Sequence, residues 1–193
     1  MVVVPVKSFS TGKERLSPAL DPDARAFLIR AMADHVASVA ESAGLLPVLV
    51  TDSPEVAEWG AARGLPSLQD PGRGLSAAAE AGIAWARSTG SGWLVVHADL
   101  PMLRPEDLSA LTEALAEGAD PISPSADGGT SAIGGGEPPV LAYGPGSFHR
   151  HLPRLASPRV VVRPGLAHDI DSPADLESAR GHPDGAWLDR ALS

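Results

Sequence analysis

Through residue 117 the chain alternates short apolar runs with amphipathic stretches, and this alternation leaves few folds open to it. Val2-Val3-Val4 opens the series as the β-branched run of a buried strand. Over residues 22–43, Ala24, Phe27, Leu28, Ala31, Met32, His35, Val36 and Val39 recur at three- and four-residue spacing, which predicts a helix stopped by Gly44. A strand over 45–51 ends in Thr51-Asp52-Ser53-Pro54, a turn suited to starting a short helix over 55–63. Residues 65–68 read as a brief strand, 77–87 as a helix, 93–98 as a buried strand and 105–117 as a helix with an acidic first turn. A βαβαβαβα order predicts a parallel sheet covered by helices, with ligands at the carboxyl ends of its strands.

The second half is patterned differently. Residues 122–125 read as extended, 126–139 as a Gly/Ser/Thr-rich loop and 140–143 as a strand. A helix is expected from Phe148 to about Leu155, a strand over 159–162 and an extended end over 167–171. Ser172 then looks like an N-cap, with Pro173 in the first position of a final helix. The tail after Gly181 is weakly patterned. With neither an internal repeat nor a linker, residues 1–193 are expected to form a single domain.

Composition removes several classes of function. A net charge of −9 and the lack of a basic stripe argue against nucleic acid as a partner. The chain contains no cysteine, which rules out disulfides and thiolate metal sites and suits a cytoplasmic location. No targeting segment is evident and no apolar run approaches the roughly 20 residues that span a bilayer, so no membrane partner is expected. The sequence has neither a Gly-x-Ser-x-Gly elbow nor a P-loop, and its glycine runs do not follow the first strand as a dinucleotide fingerprint would.

Candidate chemistry gathers at the strand ends. The first strand opens into a polar loop with Gly12 and the cations Lys7, Lys13 and Arg15, a pattern suited to a polyanion such as a nucleotide triphosphate. An ordinary turn with solvated lysines fits the same residues. Asp99 ends a strand of core character, where a carboxylate is costly unless it faces a site. In Asp169-Ile170-Asp171 an extended backbone sends both carboxylates to one face, where they can meet one cation; hard oxygen donors suit Mg or Mn. Asp171 starting the last helix, with Asp169 solvated, is the alternative. Asp127-Gly128-Gly129-Thr130-Ser131 and Gly144-Pro145-Gly146-Ser147 offer close backbone approach and hydroxyl donors, Ser147 at an expected helix start, although a flexible loop and simple capping would look the same. His149 and His151, two apart on a helix, cannot share a metal and read as surface or supporting residues; His97 reads as structural.

These segments converge on one family. Val4-Pro5-Val6-Lys7 with Gly12-Lys13-Glu14-Arg15-Leu16, Asp70-Pro71-Gly72-Arg73-Gly74-Leu75, His97-Ala98-Asp99-Leu100-Pro101, Pro124-Ser125-Ala126-Asp127-Gly128-Gly129-Thr130, Tyr143-Gly144-Pro145-Gly146-Ser147-Phe148 and Asp169-Ile170-Asp171 carry the likeness. Together they resemble the phosphoenolpyruvate and 2-phospho-L-lactate guanylyltransferases of deazaflavin coenzyme F-420 biosynthesis. The resemblance implies a nucleotidyltransferase fold of the GT-A-like, Rossmann-like kind: a three-layer α/β/α sandwich with a mostly parallel central sheet. It further implies transfer of GMP from GTP to a small phosphorylated three-carbon acid, with release of pyrophosphate and Mg as cofactor. By position, the family's catalytic and metal-holding aspartates fall on Asp99, Asp169 and Asp171. GTP would meet Lys7, Lys13, Arg15 and Gly74, and the acceptor would meet Thr130, Gly144 and Ser147. A homodimer is compatible with this reading. Other transferases of the same fold stay open beside it, a molybdopterin nucleotidyltransferase or a nucleotide-sugar glycosyltransferase among them, as does a nucleotide-binding module without catalysis.

Overall fold

In a computed structural model, which describes residues 1–192, the alternation becomes one seven-stranded sheet with helices on both faces. The first half supplies β1 (Val2–Pro5), α1 (Pro22–Ser42), β2 (Pro47–Thr51), α2 (Pro54–Ala62), β3 (Ser67–Gln69), α3 (Leu75–Ser88), β4 (Trp93–Val96) and α4 (Pro105–Ala116). The second supplies β5 (Asp120–Pro124), β6 (Thr130–Gly135), α5 (Ser147–His151), β7 (Pro158–Val160), α6 (Pro164–Ala167), α7 (Pro173–Arg180) and α8 (Trp187–Ala191). Strand order is β3-β2-β1-β4-β6-β5-β7, and only β6 runs against the rest. Among the described residues, no helix is long and apolar enough to cross a membrane.

The two faces of the sheet follow from the two-residue period of a strand. Val2, Val4 and Val6 join Leu94 and Val96 beneath α1, α2 and α4, while Val3, Val50 and Val95 pack against Ala78, Ala79 and Ile83 of α3. Each fully buried valine or leucine contributes about 1.5–3 kcal/mol to this core. Asp21 starts α1 by accepting from Ala24 N at 2.8 Å, and Gly44, at φ 72°, ends it as expected. Ser172 caps α7 reciprocally with Asp175, also as expected.

The second half departs from expectation in five places. Residues 130–135 lie in the expected loop but form β6, every residue of it buried between β4 and β5. Its glycines allow close packing rather than flexibility: a Cβ on Gly134 would lie 2.5 Å from Leu94 Cδ2 and 3.0 Å from Trp93 O. The expected strand over 140–143 does not form. Pro138 and Pro139 have no amide hydrogen to pair, and Arg154, His151 and Arg150 take the polar backbone groups of Val140 and Ala142 instead. The helix expected to run to Leu155 stops at His151 and tightens into a 3-10 turn over Leu152–Arg154, since Pro153 cannot continue the α ladder. Finally, Ala167 closes the short α6 rather than opening an extended segment, and the weakly patterned tail folds as α8.

A third apolar cluster ties the C-terminal helices to α1 and the first loop. Leu16, Leu28, Met32, Ile170, Leu176, Ala179 and Leu188 pack together. Trp187 fastens α8 over them, donating from its indole to Pro101 O at 2.8 Å and stacking on His35.

Candidate active site

β1 and β4 are parallel neighbours, so the loops leaving them emerge side by side. The loop after β1 is anchored by Phe9, which meets Trp59 edge-on at 5.4 Å. The chain then turns back through Gly12 at φ 136° and Lys13 at φ 51°, and Lys13 is the only non-glycine with positive φ among the described residues. Such a conformation costs about 1–2 kcal/mol, and here it delivers the lysine to the aspartates. Leu16, fully buried, holds the far end of the loop.

Ile170 works as the opposing anchor. It is 1 % exposed, and its amide donates to Asp99 O at 3.3 Å, which leaves Asp169 and Asp171 flanking a core residue beside Asp99. One carboxylate oxygen from each of Asp99, Asp169 and Asp171 lies within 4.8 Å of the others. Lys13 Nζ bridges Asp99 and Asp171, donating to Asp171 Oδ1 at 2.5 Å.

The charges in this group shape one another. Burial pushes the Asp99 carboxyl up, but Lys13 reverses this and holds it below the ordinary range. Burial, and then repulsion from Asp99, raises Asp169 to about 6. Burial also works against the Lys13 ammonium, yet Asp99 and Asp171 carry its pKa above the usual lysine value. Asp99 Oδ1 is buried without a hydrogen-bond partner. Three hard oxygen donors, one of them unpartnered, fit a divalent cation of the Mg class.

Cavities open on both sides of the aspartates. One of about 220 Å³ is lined by Lys7, Ser8, Thr11, Gly12, Lys13, His97 and Asp99. Lys7 and Leu75 are shared with a second, of about 420 Å³, which also touches Asp52, Asp70, Gly72 and Gly74. On the other side, Arg15, Asp127, His168, Asp169 and Asp171 line a third of about 190 Å³. Of the four residues expected to meet GTP, Lys7, Lys13 and Gly74 thus line the first two cavities, whereas Arg15 stands across the aspartates from them. Asp52 and Asp70 add to the expected site residues. Each also reads as an ordinary turn residue; Asp70, within a segment that carries the family likeness, does accept from Gly72 N at 2.8 Å.

The three residues expected to meet the acceptor also come together. Ser147 Oγ donates to Thr130 Oγ1 at 3.3 Å, and Ser147 N donates to Gly144 O at 3.0 Å. That amide is therefore spent within the turn, and α5 is only five residues long, so Ser147 offers its hydroxyl rather than a helix terminus. The two histidines divide the expected reading between them: His149 is exposed at the surface, while His151 is fully buried and bonded to Thr130 as a supporting residue. His97 follows β4 and lines the same cavity as Lys7 and Lys13; its Nε2 is buried without a partner, as is Tyr143 OH beside it. The first turn of α3 reaches this region too, since Ser76 Oγ accepts from Tyr143 N at 3.0 Å.

Comparison with known proteins bears on this arrangement. Residues 26–169 match the model of the MobA-like NTP transferase domain. The chain is 39% identical over 202 aligned positions to phosphoenolpyruvate guanylyltransferase of Sphaerobacter thermophilus, covering 99% of this chain and 98% of the relative. It is 42% identical over 184 positions to the phosphoenolpyruvate guanylyltransferase of Rubrobacter xylanophilus, covering 90% of each. Among solved structures, a Desulfovibrio desulfuricans protein assigned to the nucleotide-diphospho-sugar transferases superposes with a TM-score of 0.75 at 19% identity, covering 99% of this chain and 95% of that one. At that identity the likeness concerns the fold alone.

Proposed function

The chain belongs to the phosphoenolpyruvate guanylyltransferase family, and from that membership we propose that it transfers the guanylyl group of GTP to phosphoenolpyruvate with release of pyrophosphate. The observation that carries this reading is the convergence of Asp99, Asp169, Asp171 and Lys13 between the cavities at the carboxyl end of the parallel strands. The base and ribose of GTP occupy the cavity at Asp52, Asp70 and Gly74, and the triphosphate runs past Lys7 and Gly12 toward the aspartates. Carboxylates suit a guanine because its N1–H and N2 amino groups are donors. The three-carbon acid approaches from the Thr130, Gly144 and Ser147 side, and Arg15 lines a cavity with Asp169 and Asp171.

In the reaction an oxygen of the acceptor phosphate attacks the α-phosphorus of GTP. The new O–P bond forms as the bond from the α-phosphorus to the bridging oxygen breaks, and pyrophosphate leaves with that electron pair. A phosphate monoester has its second pKa at about 6, so the attacking oxygen is largely deprotonated at pH 7 and needs no general base. The chain's own contribution is alignment and charge. Lys7 and the turn at Gly12 and Lys13 face the triphosphate, and the Thr130 hydroxyl, supported by Ser147, binds the acceptor. Asp99, Asp169 and Asp171 would hold magnesium, which when bound supplies neutralisation of phosphate charge. The same reading puts the enzyme in formation of the activated three-carbon precursor of the deazaflavin coenzyme.

Pyrophosphate release from GTP and Mg, with phosphoenolpyruvate, 2-phospho-L-lactate and 3-phosphoglycerate offered separately, tests the proposal. Release with phosphoenolpyruvate is expected. Release with only another of the three would correct the substrate, and silence with all three while GTP binds would overturn the reaction.

A further inference from the structure

Behind Thr130 lies a buried hydrogen-bonded chain whose polarity can be worked out atom by atom. His151 is 0 % exposed, and its Nε2 stands 2.7 Å from Ala142 N. A main-chain amide can only donate, so Nε2 carries the lone pair and the ring proton sits on Nδ1. Nδ1 is 3.0 Å from Thr130 Oγ1 and therefore donates to it. Ser147 Oγ donates to the same oxygen at 3.3 Å. Two incoming bonds occupy both lone pairs of the Thr130 hydroxyl, which leaves its own proton to be given onward.

The neighbourhood keeps this polarity fixed. Burial, with the adjoining Arg154 and Arg150, holds the His151 pKa down to about 4, so the ring stays neutral near pH 7. Arg150 grips the carbonyl of the same residue, its Nε and Nη2 donating to Ala142 O at 3.1 and 2.8 Å. Consecutive residues of α5 therefore hold both polar groups of Ala142, and the imidazole cannot turn over without losing a bond.

We propose that His151 is a positioning residue for the acceptor, fixing the Thr130 hydroxyl as an obligate donor to an anionic oxygen of the phosphorylated three-carbon acid. This rests on the reading of Thr130 as an acceptor-binding residue. A carboxylate or phosphate oxygen only accepts, so a hydroxyl committed to donating favours it over a neutral group that must itself donate.

The test is steady-state kinetics on wild type, Thr130→Val, His151→Gln and the double variant, with kcat and the KM for GTP and for phosphoenolpyruvate measured separately. A hydrogen bond to a charged group is worth about 10- to 100-fold, so Thr130→Val raises the KM for phosphoenolpyruvate in that range. With its Oε1 in the place of Nε2, His151→Gln keeps an acceptor for Ala142 N while its NH2 branches away from the Nδ1 position, so Thr130 loses its donor there and the same KM is expected to rise about 5-fold. The KM for GTP and kcat stay within twofold, and the double variant is no worse than Thr130→Val. If Thr130→Val leaves the KM for phosphoenolpyruvate unchanged, the reading of Thr130 fails and this inference with it. If Thr130→Val raises it but His151→Gln does not, or if the two effects multiply, the inference alone is overturned. Nitrogen-15 spectra of the His151 ring at pH 7 in the wild-type protein need no variant to fold: a protonated Nδ1 and bare Nε2 are expected, and the reverse tautomer would overturn the assignment.

Discussion

Asp169 stands in a crowd of like charge, with oxygens of Asp99 and Asp171 within 4.8 Å and a lysine that bonds only the other two. Removing its charge relieves repulsion, so Asp169→Asn should melt at the wild-type temperature or above it. Pyrophosphate release should nevertheless fall about 100-fold or more, the usual size of losing one preorganised charge in a reaction centre. Calorimetry and initial rates on the same sample check both halves, and near-normal turnover would remove Asp169 from the chemistry. The two acidic segments were readable because each has a local signature: a carboxylate at the end of a core strand, and a pair spaced by one buried residue. Their bridging by Lys13 was not readable. That lysine lies 86 residues from Asp99 and 158 from Asp171 in the chain, and no local pattern relates positions so far apart.

Close contact between elements turns on small residues. α3 lies on β1 and β2 at Gly82, where a Cβ would collide with Val3 and sit 3.1 Å from Val50 Cγ2. Alanine would add about 1 kcal/mol of helix propensity, but forcing atoms into a packed core costs about 1–3 kcal/mol or more. Gly82→Ala should therefore lower the melting temperature, whereas Gly136→Ala, where nothing lies within 4 Å of the new Cβ, should change it little. Thermal denaturation followed by circular dichroism decides this; equal melting for the two variants would mean that α3 does not press on the sheet there. The same logic explains why β6 resembles a loop in sequence. Gly134 and Gly135 look permissive in sequence, and only the neighbouring Leu94, Trp93 and Asp120 make them obligatory. The burial of His151 is not legible in the sequence for a related reason: a helix of five residues has too few turns for its buried face to show as a period.

Across the molecule, stability should be graded from the middle of the sheet outward. β1 and β4 are fully buried apart from the partly exposed Pro5 at the end of β1, while all three residues of the edge strand β7 are exposed. Native-state hydrogen exchange should find the slowest amides in β1, β2 and β4 and much faster exchange in β7; protection in β7 equal to that in β1 would refute a core centred on the first strands. The parallel half of the sheet and the end of it that bears the site follow directly from apolar runs alternating with amphipathic ones, since burial of an apolar face is a local demand that each segment states for itself. So do the acidic strand ends. The place of β6 between β4 and β5, the wrapping of Ala142 by α5 and the meeting of Lys13 with three aspartates depend on which distant segments share a surface. Those contacts arise only once the core has closed, because their energy resides in pairs of residues and in neither partner alone.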